Sequence, residues 1–161
     1  MYNWLFLIDN FYTSNMKAKS DFDSAFPVLV SLPVQWGDMD AAQHVNNVNY
    51  LRWGESARIG YFAEMGMDLS FSEGVGPILG YQDCKYIFPM TFPDTAIIGC
   101  RTVSIAEDRF TMECKVFSEQ HQRISAISKQ VIIPYDYSTL SRAKMPEEWQ
   151  AAIRRIEGIE L

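Results

Sequence analysis

The chain has 161 residues, 48% of them hydrophobic, and a net charge of −6, a balance suited to one soluble globular domain with its own core. No basic cluster offsets the acidic surplus, which argues against nucleic acid as a main partner. Cys84, Cys100 and Cys114 are odd in number and scattered, so they outline neither a secreted disulfide framework nor a metal site, and read as small buried hydrophobes in a reducing, cytoplasmic setting.

The first stretch, MYNWLFLIDNFYTSN, is apolar, but it lacks a basic leader region and Asp9 interrupts it. It is too short to span a bilayer, and no other stretch reaches spanning length. Residues 1–26 are expected to form a peripheral arm holding a helical turn or two, and residues 27–161 a single domain. From Val28 the alternation of Val28, Val30, Leu32, Val34 and Trp36 predicts a half-buried strand, with Pro33 marking an edge position or a bulge. Next comes a polar stretch, WGDMDAAQHVNN, and then a predicted helix from about Val48 to Met65. Apolar residues lie nearly all round that helix, which predicts that other elements wrap it. Gly54 and Gly60 each cost it about 1 kcal/mol of propensity, which predicts close approach of a neighbouring backbone.

A glycine-containing loop leads to a β-rich run within Pro77–Pro89, and strands follow over Thr95–Ala106, Phe110–Ser118 and Arg123–Tyr135. Short connections between the last three predict an antiparallel meander. In the middle one, Phe110, Met112, Cys114 and Val116 should face in, and Thr111, Glu113 and Lys115 out. A closing helix starts near Pro146, carries Trp149, Ile153 and Ile156 as its stripe and stops at Gly158. This α+β order is met by one antiparallel sheet curled around a single long central helix, the hotdog architecture, with a helix at the C-terminus.

The polar stretch is the candidate site. Its segment GDMDAAQHVNNVNYLRWGESAR, Gly37 to Arg58, resembles the strand-to-helix segment of hotdog-fold acyl thioesterases, including acyl-CoA thioesterases of the 4-hydroxybenzoyl-CoA thioesterase type. It is also similar to the plant acyl-ACP thioesterases, which carry Asp-x-Asn-x-His-Val-Asn-Asn. The resemblance implies a catalytic role for Asp40, polarisation of the thioester carbonyl by a backbone N–H near Asn47, and, in the acyl-ACP branch, a place for His44 in the catalytic set. That branch's asparagine falls at Ala42, which can neither orient a water nor donate, and this favours acyl-CoA over acyl-ACP as substrate. The resemblance also implies pairing into a homodimer or homotetramer.

The chemistry of the residues agrees. A thiolate whose conjugate acid titrates near pH ~8.5 leaves without a strong general acid, so hydrolysis needs a base or nucleophile and a holder for the oxyanion. A carboxylate at a strand end can supply the first, and free N–H groups at a helix N-terminus the second, with no metal or other cofactor. Asn46, Tyr50 and Glu55 are the candidates for substrate contact. Plainer roles stand beside these: helix capping for Asp38, Asp40, Asn46 and Asn47, core packing for Tyr50 and Trp53, and an i,i+3 pair for Glu55 and Arg58. Contacts to the CoA phosphates would fall among Lys85, Arg101, Arg109 and Lys115. The rival readings are a hotdog hydratase or dehydratase and a non-catalytic acyl-thioester binding module. The former places its acid and histidine in an Asp-x-Asn-Pro-x-His pattern that this chain lacks.

Overall fold

The computed structural model describes residues 19–70 and 74–158. In chain order these form helix α1 (Lys19–Ser24), strand β1 (Val28–Pro33), a 3₁₀ turn (Trp36–Asp38) and the long helix α2 (Asn47–Glu64). Strands β2 (Val75–Gln82), β3 (Lys85–Tyr86), β4 (Thr95–Ile105), β5 (Phe110–Ser118), β6 (Arg123–Asp136) and β7 (Ser141–Arg142) follow, and helix α3 (Glu147–Glu157) closes the chain. The strands make one antiparallel sheet in the order β1-β4-β5-β6-β2, with β3 and β7 also paired to β6. The expected meander is β4–β5–β6, while the expected run over Pro77–Pro89 divides into β2 and the short β3. Because β1 and β2 lie at opposite edges, the chain between them has to cross the sheet, and α2 makes that crossing.

One face of α2 is buried through Tyr50, Trp53, Ala57, Tyr61 and Phe62, against Ile98, Cys100, Phe110, Met112, Cys114, Val116 and Ile132 of the sheet. Burying each such large side chain contributes about 1.5–3 kcal/mol. The opposite face is open: Val48 is 53% exposed and Ile59 36%. The expectation of a helix wrapped on every side is therefore corrected, because the sheet covers α2 from one side only. Gly54 and Gly60 do mark close approaches, but to side chains rather than backbone: the Gln130 amide at Gly54, and Val28 and Val30 at Gly60. Trp36 is likewise corrected. It is 73% exposed in the 3₁₀ turn, beyond the end of β1.

The outer face of the sheet carries a second core. Phe22 of α1 and Phe26 pack on Ile97, Phe117 and Ile124. This changes the expected solvent face of β5. Lys115 points outward yet is only 6% exposed, and it lies beside Glu113 (3.5 Å) and over the Phe26 ring. Cys100 and Cys114, directly opposite each other on β4 and β5, are joined as a disulfide in the inner core, leaving Cys84 as the free thiol. The expectation of three separate buried cysteines is corrected, since pairing register brings two of them together. At the far end Gly158, at φ 68°, stops α3 as expected. There Glu157 accepts hydrogen bonds from the Tyr61 hydroxyl and the Thr102 N–H, both at 2.6 Å. Burial, reinforced by Glu157, pushes the Tyr61 hydroxyl far above its usual titration range.

Candidate active site

The segment from Trp36 to Asn46 folds back on itself to start α2. Asp38 holds the 3₁₀ turn by accepting the Gln35 N–H at its carboxylate (2.8 Å), and its carbonyl receives the Asn46 N–H and the Asn49 side-chain amide, both at 2.9 Å. The Val45 N–H donates to the Met90 carbonyl. Between these anchors Asp40 to His44 is a tight turn. The Asp40 N–H donates to the His44 carbonyl and the Gln43 N–H to the Asp40 carbonyl, with Gln43 in the left-handed region at φ 62°.

Asp40 is exposed, and its two carboxylate oxygens are held separately. Oδ1 accepts from the Ala42 N–H at 2.8 Å, as in an Asx turn, and Oδ2 accepts from Asn46 Nδ2 at 3.2 Å. Asn46 is also the N-cap of α2: its Oδ1 accepts from the Val48 N–H at 3.0 Å. One side chain therefore fastens the carboxylate to the helix start. Of the first-turn amides, Asn49 donates to the Asn46 carbonyl and Val48 to the Asn46 side chain, while the Asn47 N–H meets no acceptor among the described residues.

Asp40 and Asn47 open on one cavity of about 330 Å³, walled by Val45, Tyr50, Tyr86 and Phe88. Tyr50 is buried and locked: its hydroxyl accepts from the Met90 N–H (3.1 Å) and from Ser125 (3.3 Å), and its ring meets the Tyr86 ring edge-on. Tyr86 in turn donates to the Asn47 carbonyl at 3.3 Å, and burial raises the pKa of its hydroxyl. A second opening, of about 500 Å³, lies on the other side of Asp40 between Trp36, Met39 and Phe92.

The structure thus brings Asp40, Asn46, Asn47 and Tyr50 together. It does not bring in Glu55, whose side chain is 64% exposed and sits 3.8 Å from Arg58. His44 is exposed, and its side chain is not among the residues lining the cavity. Arg101 and Lys115 are engaged with Glu113, and Arg109 with Asp108. His121 lies against the Phe88 ring. The cavity walls Tyr86 and Phe88 carry no motif in the sequence; only the pairing of β3 with β6 puts them there. Among the described residues no group of three or more His, Cys, Asp or Glu is placed to hold a metal, and no helix is long and apolar enough to cross a membrane.

With this geometry in place, comparison with known proteins is specific. Residues 34–153 match the model of the thioesterase-like superfamily. A thioesterase from Thermus thermophilus, solved with coenzyme A and zinc, is 29% identical, with a TM-score of 0.76 over 84% of this chain and 98% of that one. A DHNA-CoA thioesterase from Staphylococcus aureus is 15% identical (TM-score 0.72, 81% and 91% covered). A 1,4-dihydroxy-2-naphthoyl-CoA thioesterase from Synechocystis is also 15% identical (TM-score 0.72, 81% and 97% covered). No curated protein matches the chain. The chain belongs to the thioesterase-like superfamily, has the hotdog fold and is a thioester hydrolase.

Proposed function

We propose that this protein hydrolyses an acyl-CoA thioester to the free acid and CoA, with Asp40 as general base or nucleophile and the Asn47 N–H as oxyanion donor. One observation carries the reading: Asp40 and Asn47, the helix-start residue whose N–H meets no acceptor among the described residues, line the same cavity. A thioester carbonyl seated with its oxygen on Asn47 N–H would gain charge there during attack, where the helix dipole also favours it. With Asp40 as base, a water loses its proton to the carboxylate as the C–O bond forms. The C–S bond then breaks, and the proton passes to the departing thiolate. With Asp40 as nucleophile, an acyl-enzyme anhydride forms first and water cleaves it. The Ala42 and Asn46 hydrogen bonds fix the carboxylate for either route. His44 stands outside the cavity as an auxiliary, and Asn46 and Tyr50 shape the substrate's seat. The CoA bound to the Thermus relative supports CoA as the carrier.

The test is thioester hydrolysis, read as free thiol, beside thermal unfolding. Asp40→Asn should lower kcat by roughly 10²–10⁴-fold, the range for a positioned base. Its melting temperature should fall only slightly, because the new amide faces the Asn46 amide donor. His44→Ala should lose less activity, and Asn47→Ala less still, since alanine keeps the N–H. Turnover surviving in Asp40→Asn would sink the reading. Binding without turnover in the wild type would favour the non-catalytic module, and hydration of an enoyl-CoA would favour the hydratase.

A further inference from the structure

The opening of about 500 Å³ on the other side of Asp40 is lined by Trp36, Met39, Asp40, Gln43, Thr91 and Phe92. Asp40 is the wall it shares with the cavity at Asn47, and the two spaces differ in chemistry. In the Asn47 cavity the tyrosine hydroxyls are engaged, Tyr50 with Met90 and Ser125, and Tyr86 with the Asn47 carbonyl, which leaves a mainly hydrocarbon seat. In the second opening the Gln43 amide and the half-buried Thr91 hydroxyl have no hydrogen-bond partner among the described residues. Two large apolar side chains flank them, Trp36 and Phe92, both exposed. The Phe92 N–H meets Met39 Sδ at 3.5 Å, which ties the two sides of the opening together. Gln43 also stands where a side chain is costly: its φ of 62° lies in the left-handed region, which glycine enters without a Cβ penalty. Its N–H closes a four-residue turn on the Asp40 carbonyl at 2.9 Å, which keeps the two Cα atoms within about 7 Å. A strained residue beside a reacting carboxylate points to a use for its side chain.

We propose that Gln43, with Thr91, recognises the amide of the thiol arm that lies nearest the thioester sulfur, and that Trp36 and Phe92 cover the methylenes leading to it. The inference rests on the acyl-CoA reading of the cavity at Asp40. A thioester attacked at Asp40 carries two substituents that leave its carbonyl in different directions, and two openings meet at that carboxylate. The acyl hydrocarbon suits the space whose hydroxyls are already engaged. The arm suits the space that still offers an amide and a hydroxyl. In CoA the sulfur is followed by two methylenes and then a secondary amide, whose nitrogen stands three bonds from the sulfur. The N–H and C=O of a trans amide point opposite ways, so it takes two separate partners. Gln43 and Thr91 can each donate or accept. Three residues from Asp40 on a closed turn, the Gln43 side chain is near enough to reach that amide while the carbonyl stays at the carboxylate.

The experiment uses acetyl, hexanoyl and benzoyl thioesters of two short thiols, N-acetylcysteamine and 2-mercaptoethyl acetate, beside those of CoA. The two short thiols differ only in an amide N–H replaced by an ester oxygen. Each kcat/KM is divided by the rate of hydrolysis by hydroxide alone, which removes the difference in leaving group. The wild type should prefer the amide by roughly threefold to tenfold, the scale of one hydrogen bond. In Gln43→Met, which keeps the length of the side chain, the preference should fall toward unity with an unchanged melting temperature. Gln43→Gly should lose the same preference while its melting temperature rises by roughly 2–4 °C, because glycine takes a positive φ freely. Trp36→Ala should lower kcat/KM for both short thioesters by a common factor. No amide preference in the wild type overturns the proposal, as does a preference that both Gln43 variants retain. Where the wild type hydrolyses no thioester, that of CoA included, affinity for the hexanoyl-CoA analogue with a methylene in place of sulfur decides. Weaker binding in both Gln43 variants then keeps the amide contact and removes only the hydrolytic reading, and unchanged binding overturns both.

Discussion

Asn46 shows how much one side chain decides. Its oxygen caps α2 and its nitrogen holds Asp40, so the two functions can be separated by choice of substituent. Asn46→Ala loses both and should cost about 1 kcal/mol of stability through the cap alone. Asn46→Asp keeps the cap but sets a second carboxylate where the amide donated, 3.2 Å from Asp40 Oδ2. Two carboxylates that close raise the pKa of one. Asp40 would then ionise only at higher pH, and the acid limb of the kcat/KM profile should move upward. An unmoved limb would show that Asp40 is not the ionising group. Cys84 gives a second residue-scale expectation. Burial raises its thiol pKa, with a partial offset from Tyr86, so alkylation by iodoacetamide should be slow at neutral pH and accelerate only above the ordinary thiol range.

Among elements, the segment just after α1 is coupled to β4 at one glycine. A Cβ on Gly99 would drive into the body of the Phe26 ring, whereas one on Gly80 would meet chiefly the flexible tip of Ile133. Gly99→Ala should therefore cost about 1–3 kcal/mol as overpacking and release α1, while Gly80→Ala should stay well below that; urea unfolding of the pair measures the contrast. The same contact explains where the sequence could be read and where it could not. Alternation in β5 marks Phe110, Met112, Cys114 and Val116 as inward, since a period of two is local. The burial of Lys115 on the other face follows from a helix about ninety residues earlier in the chain, which no local pattern records. The polar loop is legible because Asp40, Asn46 and Asn47 fall within one short stretch of sequence that ends at the helix start. Glu55 does not belong with them: two turns further on, its direction depends on which face the sheet covers. A truncation that begins the chain at Met16 falls on residues outside those described, but α1 begins after it, at Lys19. Its expected outcome is a folded, active protein, checked by solubility and turnover.

At the scale of the whole molecule, β2 is a sheet edge with no strand beyond it among the described residues, and Val75, Ile78, Leu79 and Tyr81 are all substantially exposed along it. An exposed apolar edge beside an open helix face is an invitation to pair, in line with the homodimer or homotetramer that the family resemblance implies. Leu79→Lys should shift the protein toward monomer in light scattering coupled to size exclusion. If the partner completes the site, hydrolysis should fall with it. A wild type that is monomeric and fully active would remove the expectation of assembly.

The crossing of α2 from one sheet edge to the other also sets an order on synthesis. Val28 of β1 pairs with Cys100, and Val75 of β2 pairs with Asp136, so both edge strands leave the ribosome long before their neighbours exist. Neither can be satisfied until the central meander, made later, is complete. Such late, long-range closure slows folding and leaves apolar segments waiting in the nascent chain. Ribosome-stalled chains should then show no protection of β1 amides while the stall leaves β4 inside the exit tunnel. Protection of β2 should appear only once the chain beyond Asp136 has emerged. The two edge strands are the first to be made and the last to be held.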